Sequence, residues 1–393
     1  MNPPVPPPVP GPLPDPAAPG DSAVILQYHF VAEDTPAVTS VSPERFRAHL
    51  EHLAEHDFNI LPLPELIERL RAGEELPPRA AAITFDDGYI SVYENAFPML
   101  RERGWPFTVF VNSAAHDAPG RSFASWDQLR EMQEHGATIA NHSVNHAYLA
   151  RASALEEESE ADFRARMERE IDAAEARIEE KLGVSHKLFA YPFGEYDDRI
   201  RAWIAEHGYV GIGQHSGAVW AGSDFSALPR FPFSGDYSEM ESFSEKIRMA
   251  PLPVLDPEQL PDQTLATSEP RPELSMRVAT QGIREREIAC YATAQGRMET
   301  TIEPLDDGSV RVGTRAAEPV HPGRSRYNCT APRSEGGWTW FSHPWLRVMR
   351  ERADAAVQGS AASVLFLFQP RHFGADPGSS RSLKRMIERS SSM

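Results

Sequence analysis

Ala81-Ala82-Ile83-Thr84-Phe85-Asp86-Asp87-Gly88-Tyr89 is an apolar run with β-branched members that stops at two adjacent carboxylates and a glycine. The run reads as a buried strand, and the glycine lets the backbone turn sharply after it. Neighbouring carboxylates raise each other's pKa unless a cation or a donor offsets the repulsion. Two acids at the end of a core strand are therefore best explained if one binds a metal and the other handles a proton. The plainer alternative is that both cap the helix beginning near Ser91, since Asp is a favoured N-cap and turn residue.

Outward from that strand, the chain alternates. Val24 to Val31 is a strand carrying Tyr28-His29 near its end, and Ser42-Pro43 then opens a helix with Phe46, Leu50 and Leu53 at helical spacing. Phe107 to Val111, Ala137 to Ala140, Lys187 to Tyr191 and Tyr209 to Gly213 read as further strands. Helices intervene, the longest over Glu156 to Leu182. Strand and helix units repeated over about 200 residues argue for a parallel α/β architecture. The mixed charges of the long helix read as a solvated face, because Phe163, Met167 and Ile171 keep an apolar stripe through it.

Composition narrows the function. The 393 residues are 41% hydrophobic and 24% charged, which describes a globular protein with room for two domains. Acidic residues number 57 against 39 basic, a formal charge of −18, so nucleic acid is not an expected partner. The longest apolar run, Ala361 to Phe368, falls far short of the roughly eighteen residues a membrane span needs, so no transmembrane segment is expected. Residues 1–21 are dominated by proline and read as an extended linker. They have neither the basic start nor the apolar centre of a secretory signal peptide.

His142 and His146 stand four apart directly after a strand, so one helix-like turn aims both rings at one point. With a strand-end Asp they make two imidazoles and one carboxylate, the composition of a catalytic metal centre that keeps a place for water. His215, in a loop, reads as structural. No Ser or Cys occupies a nucleophile elbow.

Thr84-Phe85-Asp86-Asp87-Gly88, His142-Ser143-Val144-Asn145-His146 and Phe189-Ala190-Tyr191-Pro192-Phe193-Gly194 resemble, in order, the first three motifs of the NodB-homology polysaccharide deacetylases, carbohydrate esterase family 4. The resemblance covers residues 22–249. It implies a distorted (β/α) barrel and metal-dependent removal of N-acetyl groups from N-acetylhexosamine residues of a polysaccharide. It further implies Asp86 as base, and Asp87, His142 and His146 as ligands of a divalent metal, zinc foremost, with cobalt, nickel or iron suited to the same atoms. Tyr191, Pro192 and Phe193 would face the substrate, with the Phe193 backbone N–H as oxyanion donor. Ala190 stands where the family carries an arginine that orients the base, and Arg230 is the substitute. The late catalytic histidine is replaced by Gln369. Tyr28-His29 is similar to the circularly permuted branch acting on poly-N-acetylglucosamine, which nominates His29 as the acid, reaching across the metal from Asp86. His372 is the rival donor. An O-acetyl esterase, or a decayed glycan-binding protein, is the alternative reading.

After residue 249 the character changes. Prolines mark a linker over 250–272, turn-punctuated short strands over 273–346 suggest a small β-sandwich-like domain, and 347–393 is a tail. Trp338, Trp340 and Trp345 alternate in a way that packs a core more readily than it forms a sugar platform. Cys290 and Cys329 leave both a bridge and two buried thiols open. The substrate places the protein outside the cytoplasm, periplasmic or secreted, where a bridge would fit.

Overall fold

The computed structural model describes residues 21–155, 158–265 and 270–348. The proline-rich start and nearly all of the tail, with Val364 to Phe368, Gln369 and His372, lie outside the described residues. A nine-stranded sheet forms the first body. Its main path runs Val219–Trp220, Ser22–Tyr28, Ala80–Phe85, Phe107–Val111, Ala137–Asn141, Leu188–Ala190, Val210–Ile212. From Ser22–Tyr28 onward each neighbour is parallel. Ala80–Phe85 is buried at every position, as expected of a strand covered on both faces.

The sheet curls toward closure through the segment after Ala227. Ile212 bridges Leu228, and Phe231–Pro232 pairs with Leu26 and Gln27 of the first strand. Arg230 lies between those two contacts, so closure itself carries it to the centre. Helices cover the outside, and the cause is visible in each. Ser42 caps Pro43–Glu55 by accepting from the Arg45 N–H, and Ser125 makes a full capping box with Gln128. The long helix begins at Glu160 rather than Glu156, because Ser159 caps it there by accepting from the Asp162 N–H.

Two further sheets follow. Glu273–Val278, Val310–Arg315 and Thr300–Pro304 belong to a four-stranded antiparallel sheet, and the long hairpin of Gly323–Pro332 with Trp338–Arg347 belongs to a six-stranded one. Leu274, Met276, Val312, Tyr327 and Trp345 fill the core between them. The stretch read as a linker is threaded into these sheets: Ala250–Pro251 and Thr264–Leu265 pair with Trp338–Arg347, and Val254–Leu255 with Glu273–Val278. Two-residue edge pairings tolerate the prolines that a central strand would reject. Trp340 and Trp345 are buried, and Trp340 packs edge-on against Phe231 of the barrel, which accounts for both as core. Cys290 and Cys329 face each other across antiparallel strands and are joined as a disulfide.

Candidate active site

The C-terminal ends of parallel strands converge at one end of a barrel, and there the loops carry the chemistry. The register places Tyr28 opposite Phe85, and the Asp86 N–H donates to the Tyr28 carbonyl at 2.9 Å. His29 and Asp86 therefore emerge side by side. His29 Nε2 is 3.8 Å from Asp86 Oδ2, so the histidine adjoins the base instead of facing it from across the metal.

Asp86 is fully buried, which alone would push its carboxyl pKa up; the Arg230 guanidinium, with His142 and His29, more than reverses this and holds it well below the usual carboxylate range. Arg230 is equally buried and grips the carboxylate with two parallel bonds, Nη1 to Oδ1 at 2.7 Å and Nη2 to Oδ2 at 2.8 Å. Two further donors are placed: Nε donates to the Gly213 carbonyl at 2.9 Å, and Nη1 to Thr84 Oγ1 at 3.0 Å. Gln27, which the sequence reading did not single out, donates from Nε2 to Asp86 Oδ2 at 2.6 Å.

Beside this pair, Asp87, His142 and His146 each present a donor atom within 4.8 Å of the others. Both imidazole Nε2 atoms converge on Asp87 Oδ1, at 3.5 Å from His142 and 3.4 Å from His146. His142 Nδ1 donates to the Ala190 carbonyl at 2.7 Å, which fixes the ring and leaves Nε2 facing the cluster, buried and without a hydrogen-bond partner. Burial pushes His142 down in pKa, yet the Asp87 and Asp86 carboxylates pull it above its ordinary value. A positive charge is thus favoured among these atoms. Burial, with His142 beside it, lowers His146 to about 4, keeping that ring neutral as a ligand must be. The donor set and the orphaned Nε2 together fit a divalent metal.

The turn that brings the histidines together is not helical. Ser143 and His146 adopt left-handed backbone at φ 72° and 52°, and the His146 N–H donates to Ser143 Oγ at 2.9 Å. Asp87 also sits at φ 71°. Strained positions of this kind persist where surrounding structure over-determines them, and here they fall on two candidate ligands, Asp87 and His146, and on Ser143 between the two histidines. Gly88 is required for a separate reason: a Cβ there would lie 2.6 Å from the His116 ring.

Of the third-motif residues, Phe193 reaches the site. Its ring packs edge-on to His146 with centroids 4.4 Å apart. Tyr191 turns inward: it is fully buried and its hydroxyl donates to the Ser226 carbonyl at 2.6 Å, so its ring is closed to a substrate. Pro192 is buried as well. His215 is buried under the Arg230 loop, in keeping with a structural role.

A parallel barrel with a buried, arginine-clamped aspartate at its strand ends, beside a His-His-Asp cluster, defines a hydrolase of the barrel type. The sequence profile of polysaccharide deacetylases matches residues 73–212, and that part of the chain resembles the family. It is 26% identical over 241 residues to a Staphylococcus epidermidis poly-beta-1,6-N-acetyl-D-glucosamine N-deacetylase, covering 56% of this chain and 81% of that one. An Escherichia coli K12 protein of the same name is 23% identical over 262 residues, 58% of this chain and 39% of its own length. The structure of IcaB from Ammonifex degensii superposes with a TM-score of 0.51 at 25% identity, covering 58% of this chain and 98% of that one. Among the described residues no helix is long and apolar enough to cross a membrane.

Proposed function

We propose that the protein is a metal-dependent N-deacetylase of poly-N-acetylglucosamine or a closely similar exported glycan, working in the periplasm or outside the cell. The observation that carries the reading is the Asp86–Arg230 clamp set directly beside the Asp87, His142 and His146 cluster. Those three residues would hold the metal, zinc being the best match to two nitrogens and a carboxylate. When bound, the ion would supply Lewis-acid polarisation and lower the pKa of water toward about 7.

The chain's own groups handle the protons. Asp86 Oδ2 already accepts from Arg230 Nη2 and Gln27 Nε2, whereas Oδ1 accepts from Arg230 Nη1, leaving Oδ1 a lone pair to spare. Oδ1 is therefore the atom that takes the proton as water attacks the acetamide carbonyl. Arg230 keeps the carboxylate ionised and fixed until then. The backbone N–H of Phe193 is the proposed donor to the developing oxyanion. His29, protonated at Nε2, gives its proton to the departing amine as the C–N bond breaks. The site resets as Asp86 Oδ1 releases its proton to solvent and His29 takes one up from it, since the nearest approach of the two groups, His29 Nε2 to Asp86 Oδ2, is 3.8 Å.

The test is acetate release, with equal appearance of free amine, from poly-N-acetylglucosamine and from an O-acetylated xylan. Amine formation on the first supports the reading; acetate from the xylan alone assigns the site to ester hydrolysis. Glycan binding with no release from either substrate indicates a decayed binding protein.

A further inference from the structure

Arg324 belongs to the Gly323–Pro332 strand of the six-stranded sheet, 131 residues from the third motif, yet its Nη1 donates to the Phe193 carbonyl at 2.7 Å. Phe193 is held at φ 60°, a backbone region that L-residues avoid unless something fixes it. Its ring is the middle of a column. Tyr148 stacks on it with centroids 3.8 Å apart and planes within 4°, and the Arg151 guanidinium lies 4.3 Å from the Tyr148 centroid. On the other side Phe193 meets His146. Buried Glu195 ties the column to the far sheet: it accepts from Arg151 Nε at 2.8 Å and Nη2 at 2.5 Å, and Arg324 Nε lies 3.8 Å from it. Both faces of Tyr148 are therefore occupied, so the column acts as a brace and offers no flat platform to a sugar.

We infer that Arg324 is a positioning residue for the catalytic groove, by which the C-terminal sheet fixes Phe193 and, through it, the ring of His146. The inference rests on the deacetylase reading for its effect on rate, but its effect on metal affinity does not.

The experiment compares wild type, Arg324→Ala, Arg324→Lys and Tyr148→Ala in the full chain. Zinc affinity is measured by competition with a chelator, and kcat and KM by acetate release. Loosening a group that orients a ligand typically costs 10- to 100-fold in metal affinity or activity. Arg324→Ala is expected to weaken zinc binding and lower kcat in that range, with KM nearly unchanged. Arg324→Lys, able to donate to the Phe193 carbonyl but not to span both partners, recovers part of the loss. Tyr148→Ala breaks the column from its exposed side and reproduces the effect, which keeps the test open if Arg324→Ala fails to fold. Zinc affinity and kcat within twofold of wild type in both variants would overturn the inference, as would a change confined to KM, which marks a substrate contact. A wild type that releases no acetate, with zinc binding still weakened in the variants, upholds the brace and defeats the deacetylase reading.

Discussion

Replacing Arg230 by Met removes the cation from a buried pair and leaves Asp86 buried, with Gln27, Gln214, His29 and His142 as remaining polar neighbours. Breaking a buried ion pair from one side costs about 3–5 kcal/mol, because the surviving charge is uncompensated. That is a large share of a typical stability of about 5–15 kcal/mol and lowers Tm by the order of 10 °C in a domain of this size. The sign with pH is specific. In the wild type the Asp86 pKa is depressed below its unfolded value near 3.9, so the clamp's contribution is present above that pH and is lost as pH falls. In Arg230→Met burial is opposed only by His142, His29 and the Gln27 and Gln214 hydrogen bonds, so the pKa rises above its wild-type value and the variant loses stability, relative to wild type, as pH rises. The Tm gap between the two proteins should be widest at pH 8 and narrow steadily toward pH 4. Activity should fall by about 10²- to 10⁴-fold, the usual worth of a general base, with residual activity displaced to higher pH. Adding Asp86→Asn should recover much of the Tm and none of the rate, since it removes the stranded charge and the base together. Thermal melts across pH, paired with acetate release, decide the matter. A Tm gap that is constant from pH 4 to 8, or a rate within fivefold of wild type, refutes the clamp.

His29→Ala should lose about 10²- to 10⁴-fold in rate while metal analysis still finds one bound ion, as befits an acid that is not a ligand. Asp87→Ala removes the carboxylate on which both imidazoles converge and should lose the metal itself, read by elemental analysis after dialysis. Cys290 and Cys329 close a loop of 39 residues, for which the chain-entropy estimate is about 4 kcal/mol, so Cys290→Ala/Cys329→Ala should lower the denaturation midpoint on that scale. The same variant should leave the metal stoichiometry unchanged, because the bridge lies in the core of the second pair of sheets.

The parts of the site written into contiguous residues were legible beforehand. The apolar run up to Phe85 fixes a buried strand, and the acids after it fall at its mouth because strand ends in parallel barrels face the loops. The histidine pair was legible as a pair, but its turn was misread as helix-like, since the left-handed residues Ser143 and His146 carry no glycine signal. Arg230 was found by resemblance, and only closure of the barrel explains why it arrives at Asp86. What stayed hidden depends on register across distant strands. Gln27 meets Asp86 over 59 positions, and the Ala190 carbonyl meets His142 over 48. A backbone carbonyl has no sequence signature at all. Ala190, read as a gap in the family pattern, turns out to hold a candidate ligand through its main chain. The proline-marked stretch after residue 249 shows the same limit: composition suggests a spacer, and pairing partners some 80 to 90 positions away make it sheet.

The central claim is that Asp86 and the His-His-Asp cluster act as one catalytic unit. Metal-stripped protein titrated with zinc, with acetate release from poly-N-acetylglucosamine followed at each addition, tests it most directly. Wild type should gain activity linearly and saturate at one equivalent, and Asp86→Asn should take up the same single equivalent while remaining at the metal-free rate. Full activity in the stripped protein, or activity restored in Asp86→Asn, would contradict the account.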